Sequence, residues 1–309
     1  MANCEERFLK SPFEKGGFRG IWRSAESPPA PLFQRGGLRS FQMKIGNNPL
    51  LPKEDNPITD LTTCLQGRSR ALLLFSGGLD SSLLLAAAAP VLGTGLMALT
   101  FTGPHTVPGE LAGAFALARR LRVRHLVKET QPLSLPDFRH NTRRRCYACK
   151  KSIIEQARRL AAPLGISEIW DGTNLDDLAD FRPGLQAARE LGVKSPLLEA
   201  GLGKTAIREL SRKLNLPWDR PPQSCLATRF PYDTPLTGEA LARVGRAEAW
   251  LRRRGFSQVR LRIRGNRARL ELAYREWAAF LQPDVRRAFT ALAAQLGWGL
   301  ELDAPGGGG

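Results

Sequence analysis

Cysteine and histidine are scarce in this chain of 309 residues, which has five of the first and three of the second. An odd number of cysteines argues against a framework of disulfide bonds and favours thiols that act as ligands or catalysts. Long apolar runs are also missing. The longest, LLLAAAAPVLG, is cut by Pro90 and falls short of the roughly 20 residues needed to cross a bilayer. The N-terminus has no charged stretch followed by an apolar one, so we expect a cytoplasmic protein with no membrane partner.

Acidic residues are outnumbered, with 29 Asp and Glu against 46 Lys and Arg, for a net charge of +17. Such an excess of positive charge can bind nucleic acid, an anionic surface or phosphorylated small molecules. Part of it is concentrated between Arg252 and Arg269, where arginines are frequent and acids are absent. Aromatic residues make up only 7% of the chain, and no basic segment is rich in them. We therefore do not expect nucleic acid, whose unpaired bases stack on aromatic side chains, as a partner.

The first sixty residues differ in character from the rest. SPFEKGGFR (Ser11–Arg19) is echoed by APLFQRGGLR (Ala30–Arg39), and both copies are rich in glycine and charge. Two copies are too few for a repeat architecture and carry too little apolar surface for a core. We predict that residues 1–60 are disordered or a non-authentic extension, with Met43 as a candidate start. The cysteines to which we assign no role are Cys4 and Cys64.

Apolar runs and helical patterns alternate from Ala71, where we expect order to begin. The predicted strands are ALLLF, LMALTFT, HLVKE and SEIWDG. The predicted helices between them are SLLLAAAA, ELAGAFALARRL and KKSIIEQARRLAAPLG. This alternation predicts an α/β fold with a doubly wound parallel sheet.

The pattern changes after Pro217. TGEALARVGRAEAWLRRRG predicts one helix ending at Gly255, and VRLRIR and RARLEL, joined by Gly-Asn, predict a β-hairpin. We therefore predict a second, smaller α+β domain. The predicted domains are residues 61–220 and residues 221–309, the latter ending in a flexible APGGGG tail.

A glycine-bearing turn, SGGLDSS, follows the strand ALLLF and precedes a helix. Gly77 and Gly78 would let the backbone approach an anion, so that amides and the helix N-terminus point at phosphates. Asp80 can hold Mg²⁺ against the phosphate oxygens. The hydroxyl donors of the turn are Ser76, Ser81 and Ser82. The pattern resembles the loop of the PP-loop ATP pyrophosphatases; the alternative is a plain glycine-rich turn.

A second glycine motif, GLGKT (Gly201–Thr205), resembles the end of a Walker A loop. Leu198 stands where that motif needs glycine, and SPLLEA is a poor buried strand. We predict instead that Thr205 begins the helix TAIRELSRKL, beside which Lys204 can contact an anion.

RRRCYACKKS places Cys146 and Cys149 three positions apart, and SCLATR adds Cys225. A C-x-x-C pair can be a redox couple, half of a zinc site or part of an iron–sulfur site. A redox couple would not need Cys225, and a zinc site would need His125 or His140 as its fourth ligand. Inert buried thiols are a further alternative. We expect the basic neighbours to favour thiolates. These neighbours are Arg143, Arg144, Arg145, Lys150 and Lys151.

From about Leu72 to Asp303 the sequence resembles the LarE family, the ATP-dependent sulfur transferases of nickel-pincer cofactor biosynthesis. The carrying segments are FSGGLDSS, RCYACKK, DGTNLDDLADFRPG, ELGVKSPLLEAGLGKTAIREL, PPQSCLATRFPY and VRLRIRG. The resemblance implies adenylylation of pyridinium-3,5-biscarboxylic acid mononucleotide, with release of pyrophosphate, followed by replacement of oxygen with sulfur. It also implies ATP and Mg²⁺, a homo-oligomer, and the other enzymes of the pathway as partners. The alternative function is that of a PP-loop tRNA thiolation enzyme.

The resemblance also assigns roles to the cysteines. Some family members use one cysteine that gives up its own sulfur, whereas others hold a [4Fe–4S] cluster with three cysteines and one open iron. Cys146, Cys149 and Cys225 match the second kind, so we expect a cluster with Cys225 and Asp80 as the catalytic residues.

Two further segments supply candidate ligands. DGTNLDDLADFRPG follows a predicted strand, where open α/β sheets bind ligands, and its aspartates could bind Mg²⁺ or orient Arg182; the alternative is a polar loop capped by Asn174. The aspartates are Asp171, Asp176, Asp177 and Asp180. In VRLRIR, alternate arginines share one strand face, which suits a phosphate or carboxylate or is simply a solvated basic face. By the resemblance, the substrate-binding residues are Arg229, Glu248, Arg260 and Arg262.

Overall fold

The computed structural model describes residues 57–179, 182–219 and 223–302. Several predictions therefore lie outside the described residues. They concern Cys4, Met43, Asp180, the boundary at residues 220–221 and the APGGGG tail.

Helices and strands alternate through most of the described chain. The α-helices are α1 (Pro57–Leu65), α2 (Leu79–Leu92), α3 (Glu110–Arg120), α4 (Pro136–Arg139), α5 (Arg145–Ala161), α6 (Pro183–Glu190), α7 (Pro196–Glu199), α8 (Lys204–Lys213), α9 (Gly238–Arg252), α10 (Trp277–Phe280) and α11 (Pro283–Gln295). The strands are β1 (Ala71–Leu74), β2 (Leu96–Thr102), β3 (Arg124–Glu129), β4 (Glu168–Trp170), β5 (Val259–Arg264), β6 (Arg267–Leu272) and β7 (Gly299–Leu302). None of the helices in these ranges is long and apolar enough to span a bilayer.

Four parallel strands form the first sheet, in the order β3-β2-β1-β4. Successive side chains of a strand point to opposite faces, and both faces are apolar here. Leu73 of β1 packs into the core shared with α2, whereas Leu72 packs with Ala157 and Ala161 of α5. Helices covering both faces explain why the strands are continuous apolar runs. The predicted α/β fold with a parallel sheet is confirmed.

Order begins earlier than predicted. α1 precedes Ala71, and its Leu61 and Leu65 are fully buried in the core around α2. The two leucines are four residues apart and so lie on one face of the helix. The expectation that order begins near Ala71 is wrong, because the nine residues of α1 make too short a pattern to identify a packed helix from sequence. The predicted domain start at residue 61 falls inside this helix.

The strand order creates a crevice at one edge of the first sheet. The chain moves from β1 to β2 and β3 on one side and returns to β4 on the other. β1 and β4 are neighbours in the sheet, and the loops that follow them diverge from each other. Open α/β sheets bind ligands in the crevice that forms at such a point. These two loops are SGGLDSS and DGTNLDD.

The second sheet has the order β5-β6-β7. β5 and β6 form the predicted antiparallel hairpin, and β7 pairs with β6 in parallel. Val259, Leu261 and Ile263 are buried with apolar residues of α9 and α11. The alternation predicted for VRLRIR is therefore confirmed, while β7 and the helix before it were not predicted.

Candidate functional site

The glycine turn after β1 is shaped by contacts that only glycine permits. Gly77 has a φ of +75°, and a Cβ atom there would lie 2.9 Å from Cβ of Ala114. The Gly78 amide donates to Oγ of Ser76, which lies 3.1 Å from Oγ of Ser81. The turn thus closes directly onto the N-terminus of α2, where unpaired backbone amides can meet an anion.

Asp80, in the first turn of α2, has two carboxylate oxygens in different situations. Oδ2 lies 2.5 Å from Nζ of Lys204, the first residue of α8. Oδ1 is buried and has no hydrogen-bond partner. The anion that Lys204 contacts is therefore the Asp80 carboxylate, and Oδ1 is the oxygen that can bind a magnesium ion.

The loop after β4 packs directly on the glycine turn. A Cβ atom on Gly172 would lie 2.9 Å from the amide nitrogen of Ser81. The neighbouring Asp171 is buried, accepts from Nζ of Lys150 at 2.9 Å and from Oγ of Ser195 at 2.9 Å. Burial alone would raise the pKa of Asp171, but Lys150 and Thr173 outweigh it and lower that pKa. Lys150 belongs to α5, so this pair joins the acidic loop to the cysteine-bearing helix.

The other described aspartates of this loop are also engaged. Asp177 is buried and accepts from Nη1 of Arg182 at 2.6 Å, as expected if the loop orients this arginine. Asp176 donates its amide to Oδ1 of Asn174 at 3.1 Å and accepts from the amide of Lys204. The capping role considered for Asn174 is therefore present, and these contacts place the loop between the glycine turn and α8.

The C-x-x-C motif lies in the first turn of α5, which begins at Arg145 and not at Lys150 as predicted. All the described cysteines are free; Cys146 is exposed, whereas Cys149 and Cys225 are half-buried. Cys149 and Cys225 pack on the same small apolar cluster, although they come from distant parts of the chain.

The three thiols lie close enough together to influence one another. Burial raises the pKa of Cys149 to about 12 and that of Cys225 to about 11, and neighbouring thiols add to both shifts. Lys150 and Arg145 oppose these rises without cancelling them. The basic neighbours thus favour the thiolates as expected, but desolvation outweighs them and leaves both pKa values raised.

The thiols are not arranged as the ligands of a single metal ion in the described part of the chain, and ligation of a cluster stays a prediction. Across the described residues, no three Cys, His, Asp or Glu side chains are grouped as the ligands of one ion. His125 contacts Thr100 through Nε2, and Nδ1 of His140 lies against the Pro136 carbonyl, so the structure brings neither to the cysteines as a fourth zinc ligand. The cysteine ligands of a cluster bind different irons, so they do not need to converge on one point.

The glycine turn and the cysteines face one cavity of about 640 Å³, a size typical of ligand sites. The predicted site residues that line it are Ser76, Gly78, Asp80, Ser81, Cys146 and Cys225, together with Asp171, Asp177 and Arg182 of the acidic loop. Gly77, Ser82 and Cys149 are not among its lining residues. The structure thus joins two motifs that are far apart in sequence.

Among the lining residues that sequence analysis missed are His105, Glu110 and Tyr232. Burial raises the pKa of Glu110 to about 7, and Arg252 and Arg229 oppose the rise. The loop between β2 and α3 carries His105, whose carbonyl accepts the amide of Leu226 at 2.9 Å. Its sequence, GPHTVPGE, follows a strand at the binding edge of the sheet, and that position was the available signal.

Arg229 and Glu248 bind each other inside the protein. Arg229 Nε lies 2.7 Å from a Glu248 oxygen, and both side chains are fully buried. The Arg229 Nη1 group donates to the Ser224 carbonyl and hydroxyl and to the Thr228 hydroxyl. These contacts fix the turn that carries Cys225; contact of Arg229 or Glu248 with a ligand stays a prediction.

The Glu248 carboxylate accepts hydrogen bonds from three residues. Besides Arg229, it accepts from Nη2 of Arg252 at 2.7 Å and from the amide of Leu261 at 3.0 Å. A buried carboxylate needs such partners, since its desolvation is costly. Glu248 therefore ties α9, β5 and the turn that carries Cys225 together.

The arginines of β5 lie beside that same turn. Arg262 donates through Nη1 to the Thr228 carbonyl at 2.8 Å and through Nε to Glu271 at 3.0 Å. Arg260 is half-buried, and burial followed by the nearby Arg229 lowers its pKa. Neither Arg260 nor Arg262 is among the described residues that line the cavity.

A parallel sheet whose glycine turn and acidic loop share one cavity with Cys146 and Cys225 defines an α/β protein with one composite site. No family model matches the chain. Over 214 residues, it is 35% identical to the pyridinium-3,5-bisthiocarboxylic acid mononucleotide synthase of Lactiplantibacillus plantarum, an alignment covering 69% of this chain and 78% of that one. It is 44% identical over 214 residues to an uncharacterized protein of Synechocystis sp., covering 69% and 80% of the two chains. An uncharacterized protein of Methanocaldococcus jannaschii is 29% identical over 204 residues, covering 66% and 77%. The chain belongs to the LarE family.

Proposed function

We propose that the protein is a PP-loop ATP pyrophosphatase that transfers sulfur to pyridinium-3,5-biscarboxylic acid mononucleotide and converts its carboxylates to thiocarboxylates. The observation that carries the proposal is the cavity of about 640 Å³ shared by the glycine turn and two of the cysteines. An activated carboxylate formed at the turn can then reach sulfur without leaving the protein. We expect it to work as a homo-oligomer with the other enzymes of nickel-pincer cofactor synthesis.

The first step is adenylylation. The amides of the glycine turn and of the α2 N-terminus bind the β- and γ-phosphates of ATP. A substrate carboxylate oxygen forms a bond to the α-phosphorus while the bond from that phosphorus to the pyrophosphate oxygen breaks. Asp80 Oδ1, buried and without a partner, would hold Mg²⁺, which offsets charge on the phosphates when bound. The product is an acyl adenylate, with AMP as its leaving group.

The second step replaces AMP with sulfur. Cys146, Cys149 and Cys225 would hold a [4Fe–4S] cluster, which when bound offers an iron that can carry sulfide. The protein itself would contribute by holding the cysteines in position. Arg229 and Glu248 hold the turn bearing Cys225, and Lys150 links α5 to the acidic loop through Asp171. Both attachments keep the thiols at the mouth of the phosphate site.

The arginines of β5 would bind the phosphate of the mononucleotide. Arg262 is oriented by Glu271 and the Thr228 carbonyl, which leaves its guanidinium beside the Cys225 turn. Arg260 precedes it by two positions on the same strand face. Guanidinium groups suit phosphate because they can donate two parallel hydrogen bonds.

The proposal is tested by anaerobic turnover with ATP, Mg²⁺, sulfide and the mononucleotide. We expect AMP, pyrophosphate and a product heavier by the exchange of oxygen for sulfur. The same samples are analysed for iron and sulfide, and the peptide holding Cys225 for mass. Unmodified Cys225 after several turnovers, with iron present, supports the cluster; loss of H₂S from Cys225 without iron supports a sacrificial cysteine instead.

Two controls sharpen the result. Cys146→Ala and Cys225→Ala should lose iron and sulfur transfer, whereas Cys64→Ala should keep both, since Cys64 is a free half-buried thiol in α1. Replacing the mononucleotide by tRNA tests the alternative function. Sulfur incorporation into tRNA and none into the mononucleotide would overturn the proposal.

A further inference from the structure

One buried charge in the described chain lacks a partner of opposite sign. The Arg145 residue is only 6% exposed, and its Nη1 atom is buried without a hydrogen-bond acceptor. No carboxylate in the described ranges forms an ion pair with it. Burying a guanidinium in this way is costly unless a counter-charge arrives.

The other buried charges behave differently. Those in the described part of the chain are paired as Asp171 with Lys150, Asp177 with Arg182, and Arg229 with Glu248. Arg145 is thus the exception among them. An unpaired charge in an otherwise paired interior indicates a position completed by a ligand.

The position of Arg145 supports the same conclusion. It is the first residue of α5, a helix of 17 residues whose N-terminus carries partial positive charge, although the Arg145 amide itself donates to the Thr142 carbonyl. Its guanidinium carbon lies 4.5 Å from the centre of the Tyr232 ring. Tyr232 lines the site cavity together with Cys146 and Cys225. Arg145 itself is not a lining residue, but its charge is close enough to Cys225 to lower the pKa of that thiol. It is held against an aromatic ring and not by a carboxylate.

We propose that Arg145 and the N-terminus of α5 form a binding subsite for a soft monovalent anion beside the cysteines. The apolar cluster of Phe138, Ala227 and Leu236, on which Cys149 and Cys225 pack, disfavours strongly hydrated anions such as phosphate. A single unpaired guanidinium matches one negative charge. That the natural anion is hydrosulfide, the sulfur that must enter the reaction, rests on the proposed function.

The subsite is tested on the full-length protein after chelation of any iron. Cys225 is alkylated with anionic iodoacetate and with neutral iodoacetamide, and the two rates are followed by peptide mass spectrometry. The ratio of the iodoacetate rate to the iodoacetamide rate reports the local charge, because a change in the reactivity of the thiol affects both reagents alike. In Arg145→Met we expect this ratio to fall about tenfold, as for one unit charge at roughly 6 Å in a medium of intermediate dielectric. Arg145→Lys should keep most of it.

Arg144→Met is the matched control. Arg144 is the adjacent, exposed arginine, and its guanidinium lies over Tyr147 and not over Tyr232. In Arg144→Met the ratio of the two alkylation rates should stay at the wild-type value. The melting temperature of Arg145→Met without added anion should equal or exceed that of the wild type, since an uncompensated charge has been removed. A purely structural role for Arg145 would lower the melting temperature and leave the ratio unchanged, which overturns the proposal.

Thiocyanate serves as the anion probe, at constant ionic strength. It should slow alkylation of Cys225 by iodoacetate in the wild type and have no effect in Arg145→Met. Equal slowing in both proteins would overturn the subsite. This measurement uses neither ATP nor the mononucleotide, so a failure of the proposed sulfur transfer and a failure of the subsite give different results.

Discussion

Lys204 and Asp80 form an ion pair across 124 positions of sequence, with Nζ and Oδ2 2.5 Å apart. The lysine comes from the segment that resembles a Walker A motif, and the aspartate from the glycine turn. Lys204 therefore neutralises one oxygen of the carboxylate that would hold the metal. Binding of Mg²⁺ and ATP would have to share or displace this contact.

Asp80→Ala should reduce pyrophosphate release by at least about a hundredfold, because a metal ligand is lost at the transferring phosphates. Its effect on the free energy of unfolding should stay within about 1 kcal/mol, since the pair with Lys204 is partly exposed. Coupled pyrophosphate detection and urea denaturation measure the two quantities. Lys213→Ala, which breaks only the exposed pair with Glu209 on α8, is the control. Unchanged ATP cleavage in Asp80→Ala would contradict the assignment.

Glu248→Ala should destabilise the protein by about 3–5 kcal/mol, because Arg229 would remain buried without its counter-charge. Urea unfolding followed by circular dichroism gives the difference. Glu239→Ala, on the same helix, breaks only a surface pair with Arg243 and should stay within about 0.5 kcal/mol. A loss below about 1 kcal/mol for Glu248→Ala would mean that the pair does not hold the Cys225 turn.

Arg260→Ala should weaken binding of the pyridinium mononucleotide by roughly 1.5–3 kcal/mol, the effect of one lost charge-assisted hydrogen bond. ATP binding should be unaffected, and titration calorimetry with each ligand separates the two. Arg264→Ala is the matched control, since this exposed arginine lies on the same strand face. Arg262→Ala should act like Arg260→Ala. Equal weakening of both ligands would argue for a general structural defect.

Glu110 should make stability depend on pH. Its pKa is raised from 4.5 to about 7 in the folded protein, so the folded state binds this proton more tightly than the unfolded state. The stabilisation is complete below about pH 4.5 and is lost as the pH rises through 7. Glu110→Gln, which cannot ionise, should therefore match the wild type at pH 4.5 and exceed it at pH 8 by roughly 1–3 kcal/mol.

Denaturation at a series of pH values measures this difference directly. Subtracting the variant from the wild type removes the contribution of His105 and His125, whose pKa values burial lowers. The exposed Glu239→Gln variant should follow the wild type at every pH. Parallel curves for Glu110→Gln and the wild type would show that Glu110 ionises normally.

Local patterns were sufficient to predict most elements of the fold. β1 and β2 are continuous apolar runs, the pattern of strands that are buried on both faces. In β5 arginines alternate with apolar residues, the pattern of a strand that is buried on one face. α1 and β7 were missed because each is short, and only contacts with distant segments stabilise it. Leu61 and Leu65 of α1, for example, are buried by α2 and not by their own sequence neighbours.

The site was predictable by residue type but not by arrangement. Cysteine spacing identified Cys146 and Cys149 as a pair, yet nothing local indicates that Cys225 packs beside Cys149. Likewise, the contact between Lys204 and Asp80 depends on how α8 approaches α2. Burial also outweighs the expected effect of basic neighbours on the thiols, and desolvation is a property of the packed structure that cannot be read from flanking charges.

The hydrogen bond from the Leu226 amide to the His105 carbonyl has a consequence for how the protein matures. During synthesis, the cysteine pair of α5 leaves the ribosome well before the residue that completes the trio. Until Leu226 has emerged and bonded to the loop after β2, the growing chain presents only two of the three thiols. Under the proposed function, a cluster held by all three thiols would therefore be assembled only after the segment of Cys225 and Leu226 has emerged.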